Sequence, residues 1–235
     1  MKYRPDIDGL RAISVLAVIL FHIDESYLTG GFLGVDFFFV ISGYLITKII
    51  YKQKLNNNFS YREFYIRRAK RILPALFFVL FITLISGYVI LLPYEYYKLG
   101  VSTLSVLVFG AHMQFALRTG DYFSANSGEW PLLHTWSLSV EEQYYFILPI
   151  IIIFVLKFFR TKLIPFFIVL LLVSFFVAQT MSANPDYAKI SYYLIITRMG
   201  EMLFGSITAI ALIDKVVRPF RSEIVSNMAL ISLFL

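Results

Sequence analysis

Arg11 and His22 stand eleven residues apart in the run RAISVLAVILFH, inside the first apolar stretch of the chain. In a helix, eleven residues make about three turns, so both side chains share one face, ~16 Å apart along the axis. Ionisable groups in lipid are costly and usually face a partner, a cavity or a substrate. A cation near the membrane edge and a titratable base deeper in suit a long anionic cofactor better than a simple anchor. Imidazole ordinarily titrates near pH ~6.5, close to the working pH of a general base. The plainer readings are a hydrogen-bonded packing histidine and an arginine snorkelling to the interface.

Other residues offer chemistry in smaller groups. Arg68 and Arg71, in YIRRAKR, fall at i and i+3 on one helix face, and guanidinium forks bind phosphate bidentately. Asp36 interrupts the apolar run GVDFFFVISGY, where a carboxylate needs a polar cavity or an arginine partner. Ser42 and Gly43 are small enough to let membrane helices pack closely. In WSLSVEEQYY, Ser139 and Glu142 have the spacing of a capping box, which favours Glu142 as a cap. Glu141, four residues before Tyr145 on the same face, is the better site carboxylate. His134 and Trp136 precede it and would suit the mouth of an acceptor site. Asp24 and Glu25 read as caps of the helix exit. The three histidines lack ligand spacing, and neither HExxH nor a G-x-x-x-x-G-K loop occurs, so no metal is expected. Without cysteine, thiol nucleophiles and thiolate metal sites are excluded.

The elements that must hold these residues are membrane helices. Of the 235 residues, 59% are hydrophobic and 18% aromatic, too apolar for a soluble domain of this length. Apolar runs at Phe32–Ile50, Ile72–Leu92, Val140–Leu156, Leu163–Gln179 and Tyr192–Ile213 approach the ~20 residues that span a bilayer, and Leu10–Ile23 is a shorter one. The expectation is an all-α polytopic bundle of about seven to eight membrane segments. Eight of the 21 Lys and Arg lie between Lys48 and Arg71, with smaller groups at Lys2/Arg4/Arg11, Lys157/Arg160/Lys162 and Lys215/Arg218/Arg221. The positive-inside rule puts all four in the cytosol, N-terminus included, and the Asn184-Pro185-Asp186 turn outside. The net charge of +6 is thereby an orientation signal and calls for no nucleic acid. Lys98–Ala116 is apolar enough to cross but rich in Gly, Ser, Thr, His and Gln. A crossing strands the Lys157–Lys162 cluster outside, whereas a broken or re-entrant segment satisfies every cluster and is favoured. No internal repeat is evident, which weakens a transporter of symmetric halves. Ser222–Leu235 opens an apolar helix and stops after about 14 residues, short of a span. Residues 1–235 are therefore expected to be the front part of a longer protein or a truncated product.

Four ordered blocks carry a resemblance: Tyr3-RPDIDGLRAISVLAVILFH-Ile23, Gly31-FLGVDFFFVISGYLIT-Lys48, Phe64-YIRRAKRILPAL-Phe77 and Pro131-LLHTWSLSVEEQYYFILP-Ile150. Together they resemble the acyltransferase type 3 family of membrane O-acyltransferases. The Leu92-Pro93-Tyr94 and Tyr122-Phe123 stretches resemble the subgroup often fused to a C-terminal SGNH-type domain. Family members typically have about ten membrane helices, so the resemblance implies an N-terminal part of that domain.

The resemblance implies a bacterial inner-membrane enzyme. It would move an acyl group, usually acetyl, from cytoplasmic acyl-CoA to a hydroxyl of an envelope polysaccharide or a lipid-linked sugar such as O-antigen. The family's helix-one pair falls on Arg11 and His22, its paired arginines on Arg68 and Arg71, and its other blocks around Ser42 and from Trp136 to Tyr145. A pantetheine arm is comparable in length to the Arg11–His22 offset. His22 would serve as base on the acceptor hydroxyl, with an acyl-histidine route open. Acyl-CoA is thus implied as donor substrate and no permanently bound cofactor. The rival readings are an acyl-group translocator without acceptor chemistry and an inactive remnant.

Overall fold

A computed structural model describes residues 5–118, 130–159 and 163–216. Every regular element among them is helical: α1 (Pro5–Ile23), a 3-10 turn at Gly31–Leu33, α2 (Gly34–Leu55), α3 (Tyr61–Ile90), α4 (Pro93–Leu107), α5 (Ala111–Arg118), α6 (Thr135–Phe159), α7 (Leu163–Ser182), α8 (Pro185–Tyr193) and α9 (Ile195–Ile213). The expected all-α polytopic bundle is what forms. Five helices among the described residues are long and apolar enough to cross a membrane: α2 with its preceding turn, α3, α6, α7 and α9. That is fewer than the seven to eight expected. Asp6, Asp8 and Arg11 make α1 too charged to join them, Lys98–Ala116 is broken, and Ser222–Leu235 lies outside the described residues. Phe77, Phe78, Phe81 and Ile82 on α3 are exposed, as expected of a surface solvated by lipid chains.

The chain divides into two compact units. The first holds residues 1–49 and 201–235. Here α1 runs back against the start of α2. A Cβ at Gly34 would lie 2.3 Å from the Ser14 carbonyl oxygen, so only a glycine permits that approach. Further along α2, a Cβ on Gly43 would meet the Met202 carbonyl at 2.0 Å, and one on Gly205 the Val40 carbonyl at 1.9 Å. Thr47 donates to Ser206 Oγ at 2.7 Å across the same crossing. The small residues of the SGY block therefore do pack helices together. Asp6 and Asp8 open α1, where the helix dipole favours acids.

The second unit, residues 50–200, is built on α3, α6 and α7. Ser60 caps α3, accepting from the Glu63 N–H at 3.4 Å, and Glu63 pairs with Arg67. The basic stretch from Arg62 to Arg71 is consequently helix, not loop, and α3 continues through Pro74. At its far end the chain turns into α4, which runs back along α3 with Leu99 against Gly87. α4 stops at Val108–Gly110, where Phe109 adopts φ 53°, and α5 returns with Gln114 Nε2 donating to Ser102 Oγ at 3.0 Å. The segment is a broken helical hairpin. α8, capped by Asn184 after α7, packs on α5. Hence α4, α5 and α8 gather where α3 ends, α6 begins and α7 ends. The expected span Tyr192–Ile213 is also split, since Leu194 is extended and α9 begins at Ile195.

Candidate functional site

In the first unit, α1 is continuous from Pro5 to Ile23, so Arg11 and His22 do share a face. The Arg11 guanidinium lies 5.0 Å from the centre of the Phe38 ring. His22 Nδ1 donates to the Val18 carbonyl at 2.8 Å. A carbonyl can only accept, so in the neutral ring Nε2 carries the lone pair, the tautomer a base at that nitrogen needs. His22 is exposed on the helix surface rather than buried. Beyond the helix end, Asp24 accepts from the Ser26 N–H at 2.8 Å, and the Ser26 hydroxyl, followed by that backbone bond, holds its carboxyl below the ordinary range. Asp36 is half-buried in the first turn of α2, and Ser42 is fully buried beside the α9 crossing.

In the second unit, a tighter group forms between α3 and α6. Arg68 Nη2 donates to Glu142 Oε1 at 2.7 Å, with the two side chains only 17% and 13% exposed. The guanidinium sits 3.8 Å from the centre of the Tyr145 ring. Tyr145 in turn donates its hydroxyl proton to Glu141, and both are buried. One turn earlier on α3, Tyr65 donates to the Phe146 carbonyl at 2.9 Å. Arg68 Nε is buried with no hydrogen-bond partner. A buried guanidinium N–H without an acceptor is rare and marks a place for a ligand oxygen or a water. Arg71, one turn on, is exposed.

Tyr65, Arg68, Glu142 and Tyr145 border a cavity of about 430 Å³ with two kinds of wall. Arg68, Glu142 and Gln143 supply polar groups, while Ile72, Phe109 and Ile147 are apolar. Gln143 Nε2 donates to the Phe109 carbonyl at 3.0 Å, which ties the tip of the α4–α5 hairpin to α6 and closes one side. His112, just past that tip, is 2% exposed with its Nδ1 unpartnered.

Two sequence expectations are corrected here. Glu142 does not cap α6, because the helix already begins at Thr135; Ser139 lies inside it and donates to the Thr135 carbonyl at 3.1 Å. Trp136 does not offer an open face. It is 1% exposed, with Tyr192 and Tyr193 rings at 5.0 and 5.5 Å and the Arg198 guanidinium at 5.7 Å. His134, two residues earlier, is exposed. The structure thus groups Arg68, Glu141 and Tyr145 in one unit and Arg11, His22, Asp36 and Ser42 in the other. Spacing alone missed the Arg68–Glu142 pair. Its only signal was that an acid and an arginine in apolar helices each need a partner.

The family model described as an acyltransferase domain, that of the acyltransferase type 3 family, matches residues 4–235. The chain belongs to that family. Among curated relatives, the protein named "Putative O-acetyltransferase SAS0844" from Staphylococcus aureus strain MSSA476 is 35% identical over 213 residues, 89% of this chain and 35% of that protein. The protein named "O-acetyltransferase OatA" from S. aureus strain NCTC 8325 / PS 47 is 34% identical over 211 residues, 88% of this chain and 34% of its own. The chain spans about a third of the length of the curated relatives it matches. No solved structure matches it.

Proposed function

We propose that this chain carries the membrane part of an O-acyltransferase that takes an acyl group, acetyl in the first instance, from acyl-CoA in the cytosol to a hydroxyl on an envelope glycan or lipid-linked sugar. The family match over residues 4–235 carries this reading, and the names of the relatives favour acetyl. In the second unit, Lys52 and Lys54 at the end of α2 and the Arg and Lys of the first three turns of α3, with Lys157, lie at the end opposite the α4, α5 and α8 cluster. The positive-inside rule makes that end cytosolic, in a bacterial inner membrane with the N-terminus inside. The donor's phosphates are assigned to Arg68 and Arg71 in the second unit, where Arg68 Nε still lacks an acceptor; within the first unit, Arg11 is the phosphate-binding candidate.

In the transfer, the acceptor oxygen forms a bond to the thioester carbonyl carbon as its proton passes to His22 Nε2. The tetrahedral intermediate then collapses, the carbon–sulfur bond breaks, and the CoA thiolate leaves and takes up the proton. His22 supplies the base, and its Nδ1–H···O=C Val18 bond keeps the ring in the right tautomer. Glu141 and Tyr145 position Arg68 from the other face.

The test uses inside-out vesicles and radiolabelled acetyl-CoA. Label moves into glycan with wild type and not with His22→Ala, at equal protein levels. Equal labelling by His22→Ala would remove His22 from the mechanism, and release of CoA with no labelled acceptor would overturn the transfer reading.

A further inference from the structure

A second, smaller cavity lies in the second unit, at the far end of α3. Glu95, Lys98 and Ser102 fall at i, i+3 and i+7 on α4, one face of the helix, and they line it together with Trp130. Its volume is about 170 Å³, below the ~300–1,000 Å³ of sites for drug-sized molecules, which suits one small unit. It is separate from the Arg68 cavity. Leu99 packs on Gly87, and Gly87 lies 19 residues beyond Arg68 on α3, ~28 Å along the axis.

The chemistry of its walls is mixed and balanced in charge. The Lys98 ammonium sits 4.7 Å from the centre of the Tyr94 ring and 5.6 Å from that of Trp130. Glu95 Oε2 accepts from the Leu92 N–H at 3.1 Å. Ser102 Oγ donates to the Lys98 carbonyl at 3.1 Å and accepts from Gln114 Nε2 at 3.0 Å. Gln114 is itself only 9% exposed, and its Oε1 is buried without a partner. That oxygen requires an O–H or N–H donor the described residues do not provide. Gln114 stands behind Ser102 and does not line the cavity. The carboxylate, ammonium, hydroxyl and indole face that do line it match a ligand whose hydroxyls both donate and accept and whose C–H face stacks on an aromatic ring. One negative and one positive group cancel, which disfavours a phosphate or a metal ion.

We propose that the α4–Trp130 cavity is a binding site for a sugar unit, the acceptor side of the reaction. This rests on the acyl-transfer reading. It deepens that reading because transfer across a membrane needs donor head group and acceptor at opposite ends, and these two cavities occupy opposite ends of α3.

The chain has two tryptophans, so the Trp136→Phe variant leaves Trp130 as the only indole. That protein, purified in detergent and checked by circular dichroism, is titrated with a panel of neutral mono- and disaccharides while Trp130 fluorescence is followed. At least one sugar gives a saturable change, and Ser102→Ala weakens it about tenfold, the loss of one hydrogen bond. No saturable change with any sugar, or a titration that Ser102→Ala leaves intact with helix content unchanged, overturns the proposal. Donor turnover measured in parallel separates the two ideas. A responsive Trp130 without donor turnover upholds the pocket and removes the transfer reading. Turnover with a silent Trp130 removes the pocket alone.

Discussion

Arg68 is held by two different interactions, an ion pair to Glu142 and the face of Tyr145, and keeps one buried N–H without an acceptor. Stacking on a desolvated ring contributes up to about 2 kcal/mol. Removing one partner of a mostly buried ion pair costs about 3–5 kcal/mol, because the other charge is left alone in low dielectric. Arg68→Ala should therefore lower the thermal midpoint in detergent, and Arg68→Ala/Glu142→Gln should recover much of that loss without recovering donor binding. A double variant no more stable than Arg68→Ala would show that the pair is not what the buried charges depend on. Much of this site is legible from spacing, since Arg68/Arg71 and Glu141/Tyr145 are one-turn neighbours in sequence. Glu142 is not, for two physical reasons. Its partner is 74 residues away, and the start of α6 at Thr135 lies five residues before the apolar run that announces the helix at Val140.

At the level of elements, the α4–α5 hairpin decides the topology. Apolarity alone makes Lys98–Ala116 a crossing helix; its polar content and the placement of the basic clusters argue otherwise. The physical cause of the break is visible in the backbone. Ser102, Thr103 and Ser105 each bond back to carbonyls four residues earlier, which competes with the helical ladder. The ladder then ends at Phe109, with positive φ, followed by Gly110. The missing cysteines make labelling clean. Single cysteines at Leu117 and Asn184 should react with an impermeant maleimide from one side of the membrane, and a cysteine at Asn57 from the other. If Leu117→Cys reacts together with Asn57→Cys, the hairpin reading is wrong. By contrast, the Gly43–Met202 and Gly205–Val40 contacts could be foreseen only in kind. Small residues announce close packing, but not which helix approaches.

For the molecule as a whole, the class follows from composition and run length, because lipid tolerates few backbones other than helices. The number of spans did not follow, since α1 is helical but charged and two apolar runs are interrupted, at Val108–Gly110 and at Leu194. The central claim assigns donor binding to Arg68 in one unit and proton transfer to His22 in the other. It is tested most directly by measuring acetyl-CoA affinity and label transfer on the same purified proteins. Arg68→Lys, which keeps the charge but loses the fork, should weaken donor binding about tenfold or more. His22→Ala should bind donor as wild type does and transfer nothing. If Arg68→Lys binds acetyl-CoA unchanged, or His22→Ala transfers label at the wild-type rate, that division of labour is contradicted.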